Sequence, residues 1–120
     1  MAIQARGVTV RELPEMLTGS KGRSFFSELE VEMERNNPRI VLDCSKVSQM
    51  DIPAIYQLLC YLEEAMKRNG DVKLASLPSG IMALLELAGV ALLFERFATN
   101  TEAISSFRRL PAEAISKGAA

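Results

Sequence analysis

The feature that most limits the fold of this chain is the unbroken apolar run Ile40-Val41-Leu42, which lies between Arg39 and Asp43. A strand with one face in water alternates apolar and polar residues, whereas a strand covered on both faces is apolar throughout. The run therefore predicts a central strand of a parallel sheet with helices packed against it. A chain of 120 residues is long enough to bury one core of this kind.

Strand-like and helix-like segments alternate along the rest of the sequence. Apolar residues at helical spacing predict helices at about 24–35, 52–68, 79–89 and 99–107. Strands are predicted at 8–11, 72–77 and 92–97 in addition to the central one. This alternation predicts an α/β domain with a mostly parallel sheet of four to five strands, covered by about four helices.

Local signals set the predicted boundaries. Residues 8–11 alternate between apolar and polar, which predicts an edge strand with one wet face, and residues 19–23 predict a turn-rich link before the first helix. Ser79 is a predicted N-cap, and Thr99 with Glu102 fits a capping box. The polar, small and Pro-containing end of the chain predicts a domain over 1–107 and a frayed tail over 108–120.

The absence of histidine is the strongest limit on function, because it excludes Ser-His-Asp and Cys-His catalysis and zinc ligation by imidazole. Cys44 and Cys60 are the two cysteines, and each lies in an apolar stretch rather than in a Cys-x-x-Cys pair. They are predicted to be buried free thiols, which suits a reducing cytoplasm. The sequence therefore predicts a protein that is not an enzyme and that needs neither a metal nor a cofactor.

The charge and hydropathy patterns also exclude several partners. A net charge of −1 supplies no field that would attract nucleic acid or an anionic membrane. No window has the roughly 18 uninterrupted apolar residues of a membrane span, and the N-terminal residues lack an apolar segment of signal-peptide length. The expected location is the cytoplasm.

Polar residues concentrate after the predicted central strand, where α/β sheets place their sites. Asp43 and Asp51 bracket this loop, and Asp51 is positioned to cap the helix that begins at Ile52 and Pro53. Two acids could instead form an acid–base pair or hold Mg²⁺, and the helix start could bind an anion. The residues alone leave these alternatives open, although no third ligand or phosphate loop accompanies them.

The same loop resembles a known family. Segment 40–54, Ile-Val-Leu-Asp-Cys-Ser-Lys-Val-Ser-Gln-Met-Asp-Ile-Pro-Ala, resembles the signature of STAS domains, the bacterial anti-sigma factor antagonists. In that signature an apolar strand leads into Asp-Leu-Ser-x-Val and then into Asp-Ser-Ser-Gly at the start of a helix. Segments 79–90, 93–94 and 99–107 resemble later hallmarks of the family, so the likeness extends over about residues 7–107.

The resemblance implies a small binding module that works by partner switching. The unphosphorylated domain would bind an anti-sigma factor or a histidine-kinase-like switch protein, and phosphorylation of the second Ser of Asp-Ser-Ser-Gly would break that complex. Here the matching residues are Asp51-Ile52-Pro53-Ala54, so the phosphoacceptor position holds Pro53, which has no hydroxyl. Thr18 stands where the family often has Asp. The resemblance therefore implies a docking surface that is not phosphorylated at Pro53.

The residues predicted to contact the partner share the loops around the first two helices. They are Thr18, Gly19, Met50, Asp51, Ile52, Pro53 and Tyr56. Ser45, Ser48 and Ser79 could accept a phosphate instead, although loop and cap roles explain them. Three functions remain: regulation of sigma-factor-dependent transcription, a scaffold subunit of a stressosome or a lipid-transport ATPase complex, and a small-ligand or nucleotide binder.

Overall fold

The computed structural model describes residues 7–107 and the backbone of residues 2–5. The strands are β1 Ala2–Ala5, β2 Val8–Glu12, β3 Met16–Leu17, β4 Arg39–Asp43, β5 Gln49–Met50, β6 Asp71–Ala75 and β7 Arg96–Phe97. The α-helices are α1 Gly19–Leu29, α2 Ile52–Lys67, α3 Ser79–Leu87 and α4 Asn100–Phe107, with 3-10 turns at Glu30–Glu34 and Ala91–Leu93. The predicted tail at 108–120 lies outside the described residues.

The main sheet has five strands in the order β1-β2-β4-β6-β7. β1 is antiparallel to β2, and the other neighbours are parallel. β4 lies at the centre, with Val41 opposite Val10 on one side and Lys73 on the other. The α/β fold and the central position of the 40–42 run are confirmed.

The sheet has two differently covered faces. On the first face, α1, α2 and α3 bury a large cluster that includes Leu42, Leu58 and Leu74. On the second face, α4 covers a smaller cluster formed by Val8, Val10, Val41, Ala75 and Ala103. The two clusters follow from strand geometry, because alternate side chains of β4 and β6 point to opposite faces.

The prediction that β2 is an edge strand with one wet face is wrong. β1 pairs along the outer side of β2, so β2 is internal. Thr9 is only 2% exposed, and its hydroxyl donates to Glu32 Oε1 at 3.3 Å. A buried polar partner from the 3-10 turn after α1 thus replaces the water that the alternating pattern implied.

The first helix begins earlier than predicted. α1 starts at Gly19, so residues 19–23 form its first turns rather than a link, and its last part is a 3-10 turn. Gly22 is buried where α1 approaches α2, and a Cβ built there would lie 3.7 Å from the Ala54 Cβ. This tertiary contact overrides the weak helix propensity of the segment.

Three other boundaries differ from the sequence prediction. β6 ends at Ala75 because Ser76 takes a φ of 57° and leaves the strand, so the predicted extension to residue 77 is wrong. The predicted strand at 92–97 is a 3-10 turn followed by the short β7. Ser79 is the first helical residue, and the N-cap is Pro78.

The predictions for α2 and α4 are confirmed more closely. α2 begins at Ile52 and ends at Lys67, and its N-cap is Asp51. The Thr99 hydroxyl accepts a hydrogen bond from the Glu102 amide at 3.1 Å, which is one of the two hydrogen bonds of the predicted capping box. No helix among the described residues is long and apolar enough to cross a membrane.

Candidate partner-binding surface

Two neighbouring strand-to-helix junctions bring the predicted contact residues together. Thr18 and Gly19 join β3 to α1, and Asp51 joins β5 to α2. β3 and β5 pair in parallel as a small second sheet, with Met16 opposite Gln49. The Asp51 amide also donates to the Leu17 carbonyl at 3.3 Å, so the starts of α1 and α2 lie side by side.

Asp51 connects the two junctions with its side chain. Its Oδ1 accepts from the Ala54 amide at 2.9 Å, and its Oδ2 accepts from the Gly19 amide, also at 2.9 Å. These hydrogen bonds, first from Gly19 and then from Ala54, lower the pKa of Asp51, and the charge of Arg23 adds to the effect. One carboxylate therefore caps α2 and holds the beginning of α1, which confirms the predicted cap.

Gly19 suits its place in this arrangement. Its φ is +54°, in the left-handed region that glycine adopts without a steric penalty. This conformation presents the Gly19 amide to Asp51 across 32 residues of sequence.

The first turn of α2 presents an apolar surface next to Asp51. Ile52 and Tyr56 are each 67% exposed, and their i, i+4 spacing puts them on the same side of the helix. Pro53 is exposed in the first turn, where the backbone amide has no intrahelical acceptor, so proline costs the helix no hydrogen bond. Position 53 therefore keeps the helix start intact while offering no hydroxyl.

Six of the seven predicted contact residues are at least partly accessible. Gly19, Ile52, Pro53 and Tyr56 are exposed, and Thr18 and Asp51 are half-buried. Met50 is only 8% exposed and packs into the first-face core. Its side chain can support the junction but offers little area to a partner.

Asp43 has a different set of partners from Asp51. Its carboxylate accepts from the Ser45 amide at 3.0 Å and from the Asn100 side chain of α4 at 3.0 Å. Burial alone would raise the pKa of Asp43, but these hydrogen bonds and the Lys46 charge lower it. Among the described residues, no group of three or more Cys, Asp or Glu side chains is placed to hold a metal ion.

Two grooves flank this surface. One, of about 840 Å³, lies between the β4–β5 loop and the start of α3, with Gln49 and Ile81 among its lining residues. The other, of about 500 Å³, lies between α1 and α2 and includes Phe26 and Tyr56. Sequence reasoning did not assign Ile81 or Phe26 to a site, because both fit the apolar stripe of a core helix.

The two cysteines have different environments. Cys44 is buried as predicted, and desolvation raises the pKa of its thiol to about 12. Cys60 is exposed, so the prediction that it is buried is wrong. It lines the α1–α2 groove one helical turn after Tyr56, and a hydrogen bond with its thiol raises the pKa of Tyr56. The i, i+4 spacing of Tyr56 and Cys60 was the available signal for this exposed stripe.

A family model described as "Mlab, STAS domain" matches residues 3–95, which is more than half of the chain. This chain therefore belongs to the STAS domain family, as the signature at 40–54 had indicated. No curated protein sequence matches it significantly.

Several solved structures have the same fold. A putative anti-sigma factor antagonist from Thermotoga maritima has a TM-score of 0.82 at 18% identity, over 91% of this chain and 94% of that one. The unphosphorylated anti-sigma factor antagonist SpoIIAA has a TM-score of 0.76 at 17% identity, over 90% and 95%. The STAS domain of a SulP transporter from Vibrio cholerae has a TM-score of 0.68 at 20% identity, over 87% and 83%. At these identities the likeness establishes the fold.

Proposed function

We propose that this STAS domain is a non-enzymatic protein-interaction module that binds an anti-sigma factor or a histidine-kinase-like switch protein. Its docking face consists of Thr18, Gly19, Asp51, Ile52, Pro53 and Tyr56. Binding there regulates sigma-factor-dependent transcription in a bacterial cytoplasm and is not controlled by phosphorylation at position 53. The observation that carries the proposal is the exposed pair Ile52 and Tyr56 beside a proline on a helix start fixed by Asp51.

The docking face has the composition of a protein-binding surface. An exposed tyrosine and isoleucine can each contribute about 2 kcal/mol when a partner covers them, and aromatic anchors are frequent among binding hot spots. The face is also preorganised, because Asp51 and the β3–β5 pair hold both helix starts in place. Preorganisation reduces the ordering cost of binding.

Because of Pro53, the charge of the docking face cannot be changed by phosphorylation at position 53. A phosphate on a serine at this position would add a charge of about −1.5 to −2 beside Asp51 and oppose a packed interface. Proline cannot accept that phosphate, so the amount of the domain, rather than its modification at position 53, sets the occupancy of its partner.

The second candidate is a scaffold subunit of a larger assembly, such as a stressosome or a lipid-transport ATPase complex. The same proline favours it, since a permanent subunit needs no release switch. The match to a family model described as Mlab and the likeness to a transporter STAS domain also support it. The third hypothesis, a nucleotide or small-ligand binder, has weaker support because Asp51 already accepts from amides at both helix starts.

The first experiment compares what the wild-type chain and two variants capture from the cytoplasm of the source organism, with identification by mass spectrometry. Ile52→Glu places a charge on the docking face. Met66→Glu is the matched control, because Met66 is 60% exposed on the same helix but near its other end. We expect the wild-type chain to capture an anti-sigma factor or a switch kinase. Ile52→Glu should lose this partner, and Met66→Glu should retain it. Equal capture by both variants would refute the docking face, and capture of assembly subunits would favour the second candidate.

A second experiment tests the missing switch. Pro53→Ser restores the hydroxyl, and Asp51 still caps α2 in this variant. If the captured partner is a kinase of the switch type, we expect it to phosphorylate the variant at position 53 and release it, and to leave the wild type bound. A variant that stays unmodified would show that kinase recognition is absent as well, which supports the scaffold role.

A further inference from the structure

A second apolar surface lies at the end of α3 and in the turn that follows it. Leu87 is 87% exposed, Leu92 is 88% exposed and Leu93 is 55% exposed. Leu85 and Phe94 in the same segment are buried, so the backbone that presents these leucines is anchored in the core. Three exposed leucines within seven residues concentrate apolar surface in this segment, and concentrated apolar surface marks interaction sites.

This patch is separate from the docking face. α2 starts at the carboxyl ends of the parallel strands, where the docking face lies. α3 connects β6 to the parallel β7, so it runs from the carboxyl ends of the strands back to their amino ends. The leucines at and after the end of α3 therefore lie away from the start of α2, and both surfaces can be occupied at once.

Two opposite charges accompany the leucines. Glu86 and Arg96 are exposed and line one shallow cavity of about 280 Å³ together with Leu92. Within residues 7–107 neither of them forms an ion pair, and the guanidinium of Arg96 donates to the Met82 sulfur at 3.4 Å. The patch thus carries one acid and one base that are both available to a partner.

We propose that the leucine patch, formed by Glu86, Leu87, Leu92, Leu93 and Arg96, binds a second copy of this chain across a two-fold axis. A two-fold interface must be complementary to itself, and this patch is, because Glu86 of one copy can pair with Arg96 of its partner and the reverse. An anionic membrane is a poorer match, since it requires an excess of basic residues and this patch carries one acid and one base.

The patch is smaller than a standard interface, so the dimer is weak. Stable complexes bury about 800 Å² on each partner, and three leucines with two charges provide only part of that area. We expect a reversible dimer with a dissociation constant of roughly 10 µM to 1 mM.

Sedimentation velocity on the purified full chain, over about 5 µM to 1 mM, measures this equilibrium. We expect Leu92→Glu to weaken the dimer by about 100-fold or more, because each copy would bury a charge in place of a leucine. Leu92 is almost fully exposed, so the thermal midpoint of this variant measured at low concentration should match the wild type. Ile52→Glu on the docking face should leave the dimer unchanged.

Charge reversal tests the two-fold geometry. Glu86→Lys and Arg96→Glu each turn two attractions into two repulsions, and each should weaken the dimer by roughly tenfold. The double variant, and an equimolar mixture of the two single variants, should restore it. Glu34→Lys, an exposed substitution in the 3-10 turn after α1, is the control with the same charge change. A monomeric wild type at the highest concentration, a dimer that survives Leu92→Glu, or a failure of the double variant to recover would each overturn the proposal.

Discussion

The two faces of the sheet are stabilised in different ways. The first face is covered by three helices, and its buried residues form one cluster whose members range in sequence from Leu13 to Phe94. The Tyr61 hydroxyl joins α2 to α1 by donating to the Leu29 carbonyl at 2.8 Å. The second face is covered by α4 over a cluster of five buried residues. A charged side chain, Lys73, is buried beside that small cluster at 5% exposure.

Lys73 compensates for the small apolar area of the second face. Its ammonium donates to the Ser106 hydroxyl of α4 at 2.7 Å and pairs with Glu95 at 3.2 Å. It also lies 4.1 Å from the centre of the Phe107 ring. The comparison shows that the first face has a large apolar cluster supplemented by neutral side-chain hydrogen bonds, whereas the second face adds the contacts of a buried charge to a small apolar cluster. The docking face belongs to the layer with the large cluster.

The largest expected effect is on the first face. Leu74→Ala removes a fully buried side chain from the central core and should lower the free energy of unfolding by about 3 kcal/mol, measured by chemical denaturation. Met66→Ala, at an exposed position on α2, should change it by less than about 0.5 kcal/mol. A similar loss in both variants would mean that the first face is not the main source of stability.

A smaller and more local effect is expected on the second face. Lys73→Ala should cost about 2 kcal/mol, because it removes the Ser106 and Glu95 contacts and the packing on the Phe107 ring. Amide hydrogen exchange should accelerate in α4 before it does in α2. Lys73→Met, which keeps the aliphatic stem, separates the two contributions. Unchanged protection of α4 in both variants would show that the lysine does not hold the helix.

The docking face should respond to acid through Asp51. Its folded pKa is below the ordinary value of 3.8, so its contribution to stability is present above that pH and is lost as the pH falls through the folded pKa. Asp51→Asn should therefore be less stable than the wild type at neutral pH, and the difference should shrink in acid. Thermal midpoints between about pH 3 and pH 7 test this, and a constant difference would contradict it.

The smallest expected effect concerns Asp71 on the second face, whose contribution to stability changes with pH in the opposite direction to that of Asp51. Burial, with the nearby Glu95 carboxylate, raises the pKa of Asp71 above 3.8. Stability from this group is therefore greatest when it is protonated and is lost as the pH rises through the folded pKa. Asp71→Asn keeps an oxygen for the Val72 amide and should raise the thermal midpoint slightly at neutral pH. A lower midpoint would show that the charged carboxylate is well stabilised.

The sequence predicted best what local patterns determine. The 40–42 run identified the central strand, and the residue types at Asp51 and Pro53 identified the start of α2 and its cap. The family resemblance then predicted the fold that the family model and the solved structures support.

What the sequence did not predict depends on long-range contacts. The Gly19 amide at the start of α1 donates to the carboxylate of Asp51, and β2 is internal because it pairs with β1. The exposure of Cys60 depends on which side of α2 faces the core, and a cysteine in an apolar stretch does not decide that. The leucine patch could not be predicted either, because the sequence does not distinguish an exposed leucine from a buried one.

Pro53 also bears on how the protein can change over evolutionary time. Proline and serine codons differ at their first base, so a single nucleotide substitution would place a hydroxyl on the docking face. The first turn of α2 would tolerate the change, since Asp51 supplies the cap for either residue. A docking face that can be phosphorylated at position 53 is therefore one nucleotide substitution away, and the helix start would not be destabilised by losing its cap.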